Sequence, residues 1–247
     1  MRSRSEAARA IDSGRVMVKG MPAQRAAALV DPAAPITIAG APSRFVSRGG
    51  DKLDSALDRL DVTVAGRRWL DAGASTGGFT DCLLQREASA VIALDVGYGQ
   101  LDWRLRGDPR VHVLERVNVR SVDHGVLPWR AEAVVADLSF ISLTLVLANL
   151  ISLAKPGADF VLLVKPQFEL DPDSVGKGGV VRDPDLWRRS MQRVIAAAHA
   201  VGLGVAGATA SQLPGPAGNR EFFLHLRSDG MESPEDAVER AISGAPQ

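Results

Sequence analysis

Short apolar runs and longer amphipathic stripes alternate along most of the chain. Each run is bounded by polar residues or glycine, which is typical of a buried strand. The runs predict strands over residues 67–72, 90–96, 110–115, 132–137, 159–165, 204–210 and 220–227. Between them, apolar residues recur three or four positions apart, which predicts helices over residues 77–87, 100–105, 143–155 and 184–201. A further helical stripe contains Leu53, Ala56, Leu57 and Leu60.

This alternation predicts an α/β fold of the Rossmann-like kind: a mostly parallel, seven-stranded sheet with helices on both faces. Only residues 211–219 separate the last two strands, so we expect the last strand to be antiparallel.

The first 40 residues follow a different pattern. They predict a short helix over residues 5–13, a strand over 14–20 that ends in glycine, and a second strand over 35–40. We therefore expect four parts in the chain: a small α+β module at 1–40, a linker at 41–46, a main domain at 47–228 and a tail at 229–247.

The segment RRWLDAGASTGGF, residues 67–79, predicts a strand, a glycine-rich turn and a helix. Such a turn allows a ligand to approach the backbone closely and points the first N–H groups of the helix at it. Asp95 ends the next apolar run, about 20 residues further on, where a carboxylate can accept hydrogen bonds from ribose hydroxyls. Together these features predict a pocket for an adenosine moiety. A tight turn without any ligand is the alternative interpretation.

Polar residues also follow the other predicted strands. Asn118, Asp137 and Lys165 come at or just after the ends of strands three, four and five. In open α/β sheets, ligands bind beyond the carboxyl ends of the strands. One charged residue there could be a solubility device, but Asp71, Asp95, Asp137 and Lys165 together favour a site.

Charge is distributed unevenly along the 247 residues, although the formal net charge is zero. Residues 1–52 contain nine Lys and Arg but four Asp and Glu, hence +5, and the remainder is −5. A basic arm on an acidic body is typical of binding to a polyanion. An ordinary solvated surface is the alternative.

Several classes of protein are disfavoured. The longest apolar stretch, residues 143–154, has the length of a buried helix, and no apolar core follows Met1, so we expect a cytoplasmic protein without a membrane segment. The single cysteine, Cys82, excludes an intramolecular disulfide and is expected to pack in a helix. The four histidines show no metal-ligand spacing, so we expect no metal.

The N-terminal pattern resembles a small RNA-binding domain found in a ribosomal small-subunit protein, pseudouridine synthases and tyrosyl-tRNA synthetases. The likeness rests on the helix, the G-R-V-x-V-x-G strand and the later I-T-I strand, and it covers the second half of that module. It implies a partial RNA-binding module in which Arg4, Arg15 and Lys19 contact RNA.

Six ordered blocks between Ser47 and Arg227 resemble the TlyA family: SRGGDKL, LDAGASTGGFTD, VVADLSFISL, LVKPQFE, GKGGVVRD and GNREFFL. These are S-adenosylmethionine-dependent ribosomal RNA 2′-O-methyltransferases with an FtsJ-type catalytic domain, and the family is also labelled haemolysin. The resemblance implies S-adenosyl-L-methionine as cofactor, cytidine ribose in ribosomal RNA as target, and ribosomal subunits as partners.

The same resemblance implies roles for individual residues. A catalytic tetrad would consist of Lys52, Asp137, Lys165 and Glu221. Cofactor contacts would come from Asp71, Gly73, Ser75, Thr76, Gly77, Gly78, Phe79, Asp95, Asn118 and Asp137. Beyond the N-terminal module, RNA contacts would come from Arg48, Lys177 and Arg182, the last two in a long loop over residues 169–184.

The chemistry is consistent with a lysine base. A ribose hydroxyl is a very weak acid, so its attack on a methyl group requires a base beside it. Lys165 can serve if burial and the neighbouring Lys52 favour its neutral form, whereas Asp137 favours the charged form. The alternatives are a non-catalytic ribosome-binding or assembly factor, a methyltransferase of small molecules, and a haemolysin-like protein.

Overall fold

The computed structural model describes residues 7–8, 10–11, 14–23, 25–38, 44–176, 178–215 and 217–245. The chain divides into two compact units, Met1–Ser43 and Arg44–Gln247. The linker predicted at residues 41–46 lies partly outside the described residues, so its bounds stay a prediction.

The first unit contains a small antiparallel sheet. Its strands are β1 (Val16–Val18), β2 (Met21–Pro22) and β3 (Ile36–Ile38), in the order β2-β1-β3. The sequence did not predict β2, which follows β1 through a turn where Lys19 and Gly20 have positive φ angles of 51° and 78°.

The basic residues predicted to contact RNA in this unit have different surroundings. Arg15 is half-buried, and the exposed Lys19 ammonium lies 3.9 Å from the Asp31 carboxylate. Arg4 lies outside the described residues.

The second unit is built on a seven-stranded sheet. Its strands are β4 (Arg68–Ala72), β5 (Ala90–Asp95), β6 (Val111–Glu115), β7 (Ala131–Ala136), β8 (Ala154–Val164), β9 (Gly204–Ala210) and β10 (Phe222–Arg227). The order is β6-β5-β4-β7-β8-β10-β9, and β10 runs in the direction opposite to the other six strands. The predicted mostly parallel sheet with an antiparallel last strand is confirmed.

The helices of this unit are α1 (Arg48–Arg59), α2 (Gly78–Gln85), α3 (Trp103–Arg106), α4 (Leu147–Leu153), α5 (Pro166–Glu169), α6 (Pro184–Ala200) and α7 (Pro234–Ser243). The helix predicted over 143–155 is instead a 3₁₀ turn at Leu143–Leu145 followed by α4, and the rest of that segment begins β8. Within the described residues, no helix has the length and apolarity needed to cross a bilayer.

Two apolar clusters cover the two faces of the sheet, because successive residues of a strand point to opposite sides. Leu70, Ile92 and Leu162 belong to the cluster that packs against α4, α6 and α7. Trp69, Val91 and Val161 belong to the cluster that packs against α1 and α2. Helix α7, in the predicted tail, buries Val238 and Ala241 in the first cluster.

A buried ionic cluster ties strand β8 to its neighbours. The Asp159 carboxylate accepts a 2.5 Å hydrogen bond from Arg67 and lies 2.6 Å from His225 Nε2. Burial raises the pKa of Asp159, but the hydrogen bonds to His225 and Arg67 together outweigh this effect. The net result is a pKa lowered from 3.8 to about 2. A carboxylate whose folded pKa is depressed stabilises the protein above its unfolded pKa.

We expect Asp159→Asn to lower the free energy of unfolding by about 2 kcal/mol at pH 7, because it removes the charge that pairs with Arg67 and His225. The parent should lose this contribution as the pH falls from about 4 to about 2, and the variant should show a flatter dependence over that window. Urea unfolding across this pH range measures both quantities. A variant as stable as the parent at pH 7 would contradict the assignment.

Candidate active site

The turn after β4 needs glycine at two positions. Gly73 and Gly77 have φ angles of 86° and 94°. A Cβ atom on Gly73 would lie 2.6 Å from the Asp137 carbonyl oxygen, and one on Gly77 would overlap the Leu105 side chain. The turn therefore lies directly against the end of β7.

Helix α1 begins against the same turn. A Cβ atom on Gly78 would overlap Ser47 and lie 2.9 Å from the backbone nitrogen of Gly50. Gly49 lies against the ring of Phe79, at 3.5 Å from an ideal Cβ position. This close approach of two helix starts brings Lys52, in the first turns of α1, to the carboxyl edge of the sheet.

Asp95 fixes the backbone at the predicted adenosine side of the site. Its two carboxylate oxygens accept hydrogen bonds from Ser75 N–H at 2.8 Å and Gly97 N–H at 2.6 Å. Each oxygen has a second lone pair, so the group retains capacity to accept ribose hydroxyls. The hollow next to it is lined by Ala74, Ser75, Ala93, Asp95, Gly97, Gln100, Leu101, Val113 and Glu115.

Glu115 and Gln100 were missed by the sequence analysis. Glu115 ends β6, so the strand-end rule that singled out Asp95 could have found it. Gln100 lies in an irregular segment after β5 and carries no comparable signal. Asn118, which was predicted instead, is exposed, and its side-chain oxygen accepts the N–H of Arg120 at 2.9 Å.

Asp71 and Phe79 lie beneath the turn and do not line this hollow. Asp71 is fully buried, and its Oδ2 accepts a 2.7 Å hydrogen bond from Thr80. Its Oδ1 has no hydrogen-bond partner among the described residues, and burial raises the pKa of Asp71 to about 7. Phe79 packs against Phe223 with 6.1 Å between ring centroids. The roles of both residues in cofactor binding stay predictions.

The four residues of the predicted tetrad form two ion pairs. Lys165 Nζ lies 2.7 Å from Asp137 Oδ1, outside hydrogen-bond geometry, and donates a 2.9 Å hydrogen bond to Ser139 Oγ. Lys52 Nζ donates a 2.5 Å hydrogen bond to Glu221 Oε2. Lys52 and Glu221 are only 7% and 2% exposed, so this charge pair is shielded from solvent.

Strand register brings the two pairs side by side. Phe222 of β10 pairs with Val164 of β8, so Glu221 and Lys165 come next to each other one step further along. Residues opposite one another on antiparallel strands have Cβ atoms about 5 Å apart and face the same side. Asp137 follows β7, whose Ala136 pairs with Leu162 of β8. The tetrad therefore gathers at one edge of the sheet.

The Phe168 ring lies beside Lys165, and the Phe140 ring packs against Phe168. Phe140 is 90% exposed and has a left-handed φ angle of 63°. Its ring centroid lies 5.3 Å from that of Phe168, and Lys165 Nζ lies 5.9 Å from the Phe168 centroid. The sequence analysis missed both rings, because a lone phenylalanine after a strand end does not differ from a core residue in pattern.

The loop predicted over residues 169–184 has more structure than expected. It contains a 3₁₀ turn at Pro172–Ser174, and the buried Asn219, just before Glu221 and β10, binds to it. Asn219 Oδ1 accepts Val181 N–H at 2.8 Å, and its Nδ2 donates to the Gly179 carbonyl at 2.8 Å.

The predicted RNA contacts near this loop lie on the surface where they are described. Arg182 is exposed, and the exposed Arg48 donates a 2.7 Å hydrogen bond to the Pro214 carbonyl. Lys177 lies outside the described residues.

A protein-family model and a characterised relative both match this chain, and both are methyltransferases. The sequence model of the FtsJ-like methyltransferase family matches residues 45–228. The 16S/23S rRNA (cytidine-2′-O)-methyltransferase TlyA of Mycobacterium tuberculosis is 51% identical over 251 residues, which cover 99% of this chain and 94% of the relative.

Two further relatives carry a different name. Hemolysin A of Brachyspira hyodysenteriae is 38% identical over 184 residues, 74% of this chain and 77% of the relative. A solved structure of a "putative hemolysin" from Streptococcus thermophilus is 35% identical, with a TM-score of 0.82 over 99% of this chain and 90% of that one. The match to the family model and these identities lead to one conclusion: the chain belongs to the FtsJ-like methyltransferase family.

Proposed function

We propose that the protein transfers a methyl group from S-adenosylmethionine to the 2′-hydroxyl of a cytidine in ribosomal RNA. The observation that carries this proposal is the pairing of Lys165 with Asp137 and of Lys52 with Glu221 at one sheet edge, next to the glycine turn. The printed activity of the Mycobacterium tuberculosis relative supports the choice of cytidine and of ribosomal RNA.

The residues around the turn fit the cofactor. Asp95 has free acceptor capacity for ribose hydroxyls, and Ser75, in the turn beside it, is exposed. When bound, S-adenosylmethionine supplies an electrophilic methyl group on a sulfonium. We expect Asp95, Ser75 and Glu115 to hold the adenosine part, with the methionine part over the turn.

Lys165 acts as the general base in this proposal. Lys165, present as a neutral amine, would accept the proton of the 2′-hydroxyl as that oxygen becomes methylated. Bound S-adenosylmethionine would supply the methyl group and keep the electron pair of the broken methyl–sulfur bond. Asp137 and Ser139 hold the amine in place from two directions. Glu221 engages Lys52, which leaves the Lys165 nitrogen free of a second carboxylate.

The surroundings of Lys165 suit a nucleotide substrate. The exposed ring of Phe140 offers a stacking surface for a base beside the proposed reacting hydroxyl. The exposed Arg48 and Arg182 provide positive charge for phosphates, which position the RNA. A non-catalytic ribosome-binding factor would need neither the tetrad nor its two ion pairs.

We expect the reaction to occur in the cytoplasm, where the proposed substrate is located.

We expect Lys165→Ala to lower kcat by about 100-fold or more, because it removes the base. Affinity for S-adenosylmethionine should stay within about twofold, since Lys165 lies at the end of β8, outside the hollow beside Asp95. Labelled methyl transfer to ribosomal subunits, followed by nucleoside analysis for 2′-O-methylcytidine, measures activity; calorimetry measures cofactor affinity.

The matched control is Lys155→Ala, which removes a lysine paired at 2.7 Å with Glu132 away from this edge. It should retain parental activity. Retained transfer by Lys165→Ala would exclude that amine as base, whereas methylation of small molecules but not of ribosomal subunits by the parent would exclude the RNA substrate.

We expect Phe140→Ala to weaken the use of RNA by about 5- to 150-fold in kcat/KM, because stacking of one base on an aromatic ring contributes about 1–3 kcal/mol. Phe140→Tyr should restore most of the loss, and Met231→Ala, which removes another exposed apolar side chain, should have no effect. Kinetics at varied ribosomal subunit concentration provide the measurement. An unchanged KM and kcat for Phe140→Ala would show that no base stacks there.

A further inference from the structure

Glu169 is a buried carboxylate that the proposed chemistry does not use. It ends α5, four residues after Lys165, and is only 2% exposed. Burial raises the pKa of Glu169, so its desolvation is a real cost to the fold. A buried carboxyl group of this kind needs hydrogen-bond partners that offset its desolvation.

Those partners belong to the segment that follows Asp137. Glu169 Oε2 accepts a 2.5 Å hydrogen bond from Ser142 Oγ, and Oε1 accepts a 2.9 Å hydrogen bond from Leu143 N–H. The carboxylate thereby fixes both a side chain and the backbone at the start of the 3₁₀ turn Leu143–Leu145.

The segment held in this way is strained. Phe140 is neither glycine nor asparagine, yet its φ angle is 63°. Such a conformation is unfavourable for a residue that has a Cβ atom, and it persists only where its surroundings over-determine it. Glu169 fixes the chain two and three residues beyond Phe140, and Lys165 contacts Ser139 on the other side.

The segments that follow strands β7 and β8 therefore contact each other at three points. Lys165 contacts Asp137 and Ser139, Phe168 stacks on Phe140, and Glu169 binds Ser142 and Leu143. The first two contacts involve the groups proposed to handle the RNA. The third involves a buried carboxyl group that belongs neither to the tetrad nor to the hollow beside Asp95.

We propose that Glu169 is a positioning residue that fixes residues 137–143, and with them the Lys165 amine and the Phe140 ring, in the arrangement needed for methyl transfer. This inference rests on the proposed function. Without the carboxylate, Ser142 and Leu143 lose their partner, Phe140 can relax to a negative φ angle, and Ser139 moves away from Lys165. The cofactor hollow beside Asp95 includes none of these residues and should not change.

The test compares Glu169→Ala, Glu169→Gln and Ser142→Ala with the parent in labelled methyl transfer to ribosomal subunits. A small displacement of catalytic groups can cost about 100-fold, so we expect Glu169→Ala to lower kcat at least about tenfold, with KM for S-adenosylmethionine within about twofold. Glu169→Gln should recover most of the rate, because its oxygen can accept from Leu143 N–H and its amide can donate to Ser142 Oγ. The kcat of Ser142→Ala should lie between those of Glu169→Ala and the parent.

Asp159→Ala is the matched control, because it also removes a buried carboxylate that has two hydrogen-bond partners. Asp159 lies outside the cluster that joins Lys165 to residues 137–143. All assays are run well below the melting temperature of every variant. Parental kcat in Glu169→Ala, or an equal loss of kcat in Asp159→Ala, would overturn the positioning role. If Glu169→Ala does not fold, Ser142→Ala and Glu169→Gln provide the test of the positioning role. A parental kcat in Ser142→Ala would then overturn that role. Failure of the parent itself to transfer methyl groups would overturn the proposed function instead.

Discussion

The register of strand β8 is the constraint on which the candidate site depends. β8 pairs in parallel with β7 on one side and antiparallel with β10 on the other. This arrangement places Asp137, Lys165 and Glu221 at the same edge. A slip of one residue would turn Lys165 to the other face of the sheet, because side chains alternate along a strand. The large apolar clusters on both faces oppose such a slip, since it would exchange buried residues such as Leu162 and Leu163 between two closely packed interiors.

Shielded charge is the main cost of this arrangement. Lys52 and Glu221 are nearly inaccessible to solvent, and a buried ion pair of this kind contributes little or nothing to stability compared with apolar residues of similar size. Under the proposed function, the pair has a role in the site. It keeps Glu221 engaged and leaves the Lys165 amine with Asp137 and Ser139 as its polar contacts among the described residues.

Some of the backbone strain lies at the same edge, although other left-handed residues, such as Asp61 and Glu87, lie elsewhere. Ser75 and Phe140 have left-handed φ angles without being glycine, and Gly73 and Gly77 occupy positions where a Cβ atom would meet Asp137 or Leu105. Each strained position is held by a specific partner. Asp95 holds the N–H of Ser75, and the buried Glu169 holds the segment that contains Phe140. This pattern is the one expected where the fold stores strain to prepare a site.

Local patterns in the sequence determined the elements of the fold and part of the site. Apolar periodicity located all seven strands of the large sheet, and the glycine turn followed by Asp95 predicted the adenosine side, because these signals arise from neighbouring residues. They misplaced the helix at 143–155, where β8 starts early, since an apolar segment fits a buried helix and a buried strand equally well. The resemblance to a methyltransferase family supplied the tetrad, with Asp137 beside Lys165, but left open whether Glu221 meets Lys52.

Tertiary structure alone decided which charges meet. Lys52 and Glu221 are 169 positions apart, and nothing local to either residue specifies the other. The same holds for Ser139 with Lys165, for Glu169 with Ser142, and for the burial of Asp71 beneath the turn. These contacts depend on the order and register of strands across the sheet, and long-range pairing is set by the collective packing of both faces.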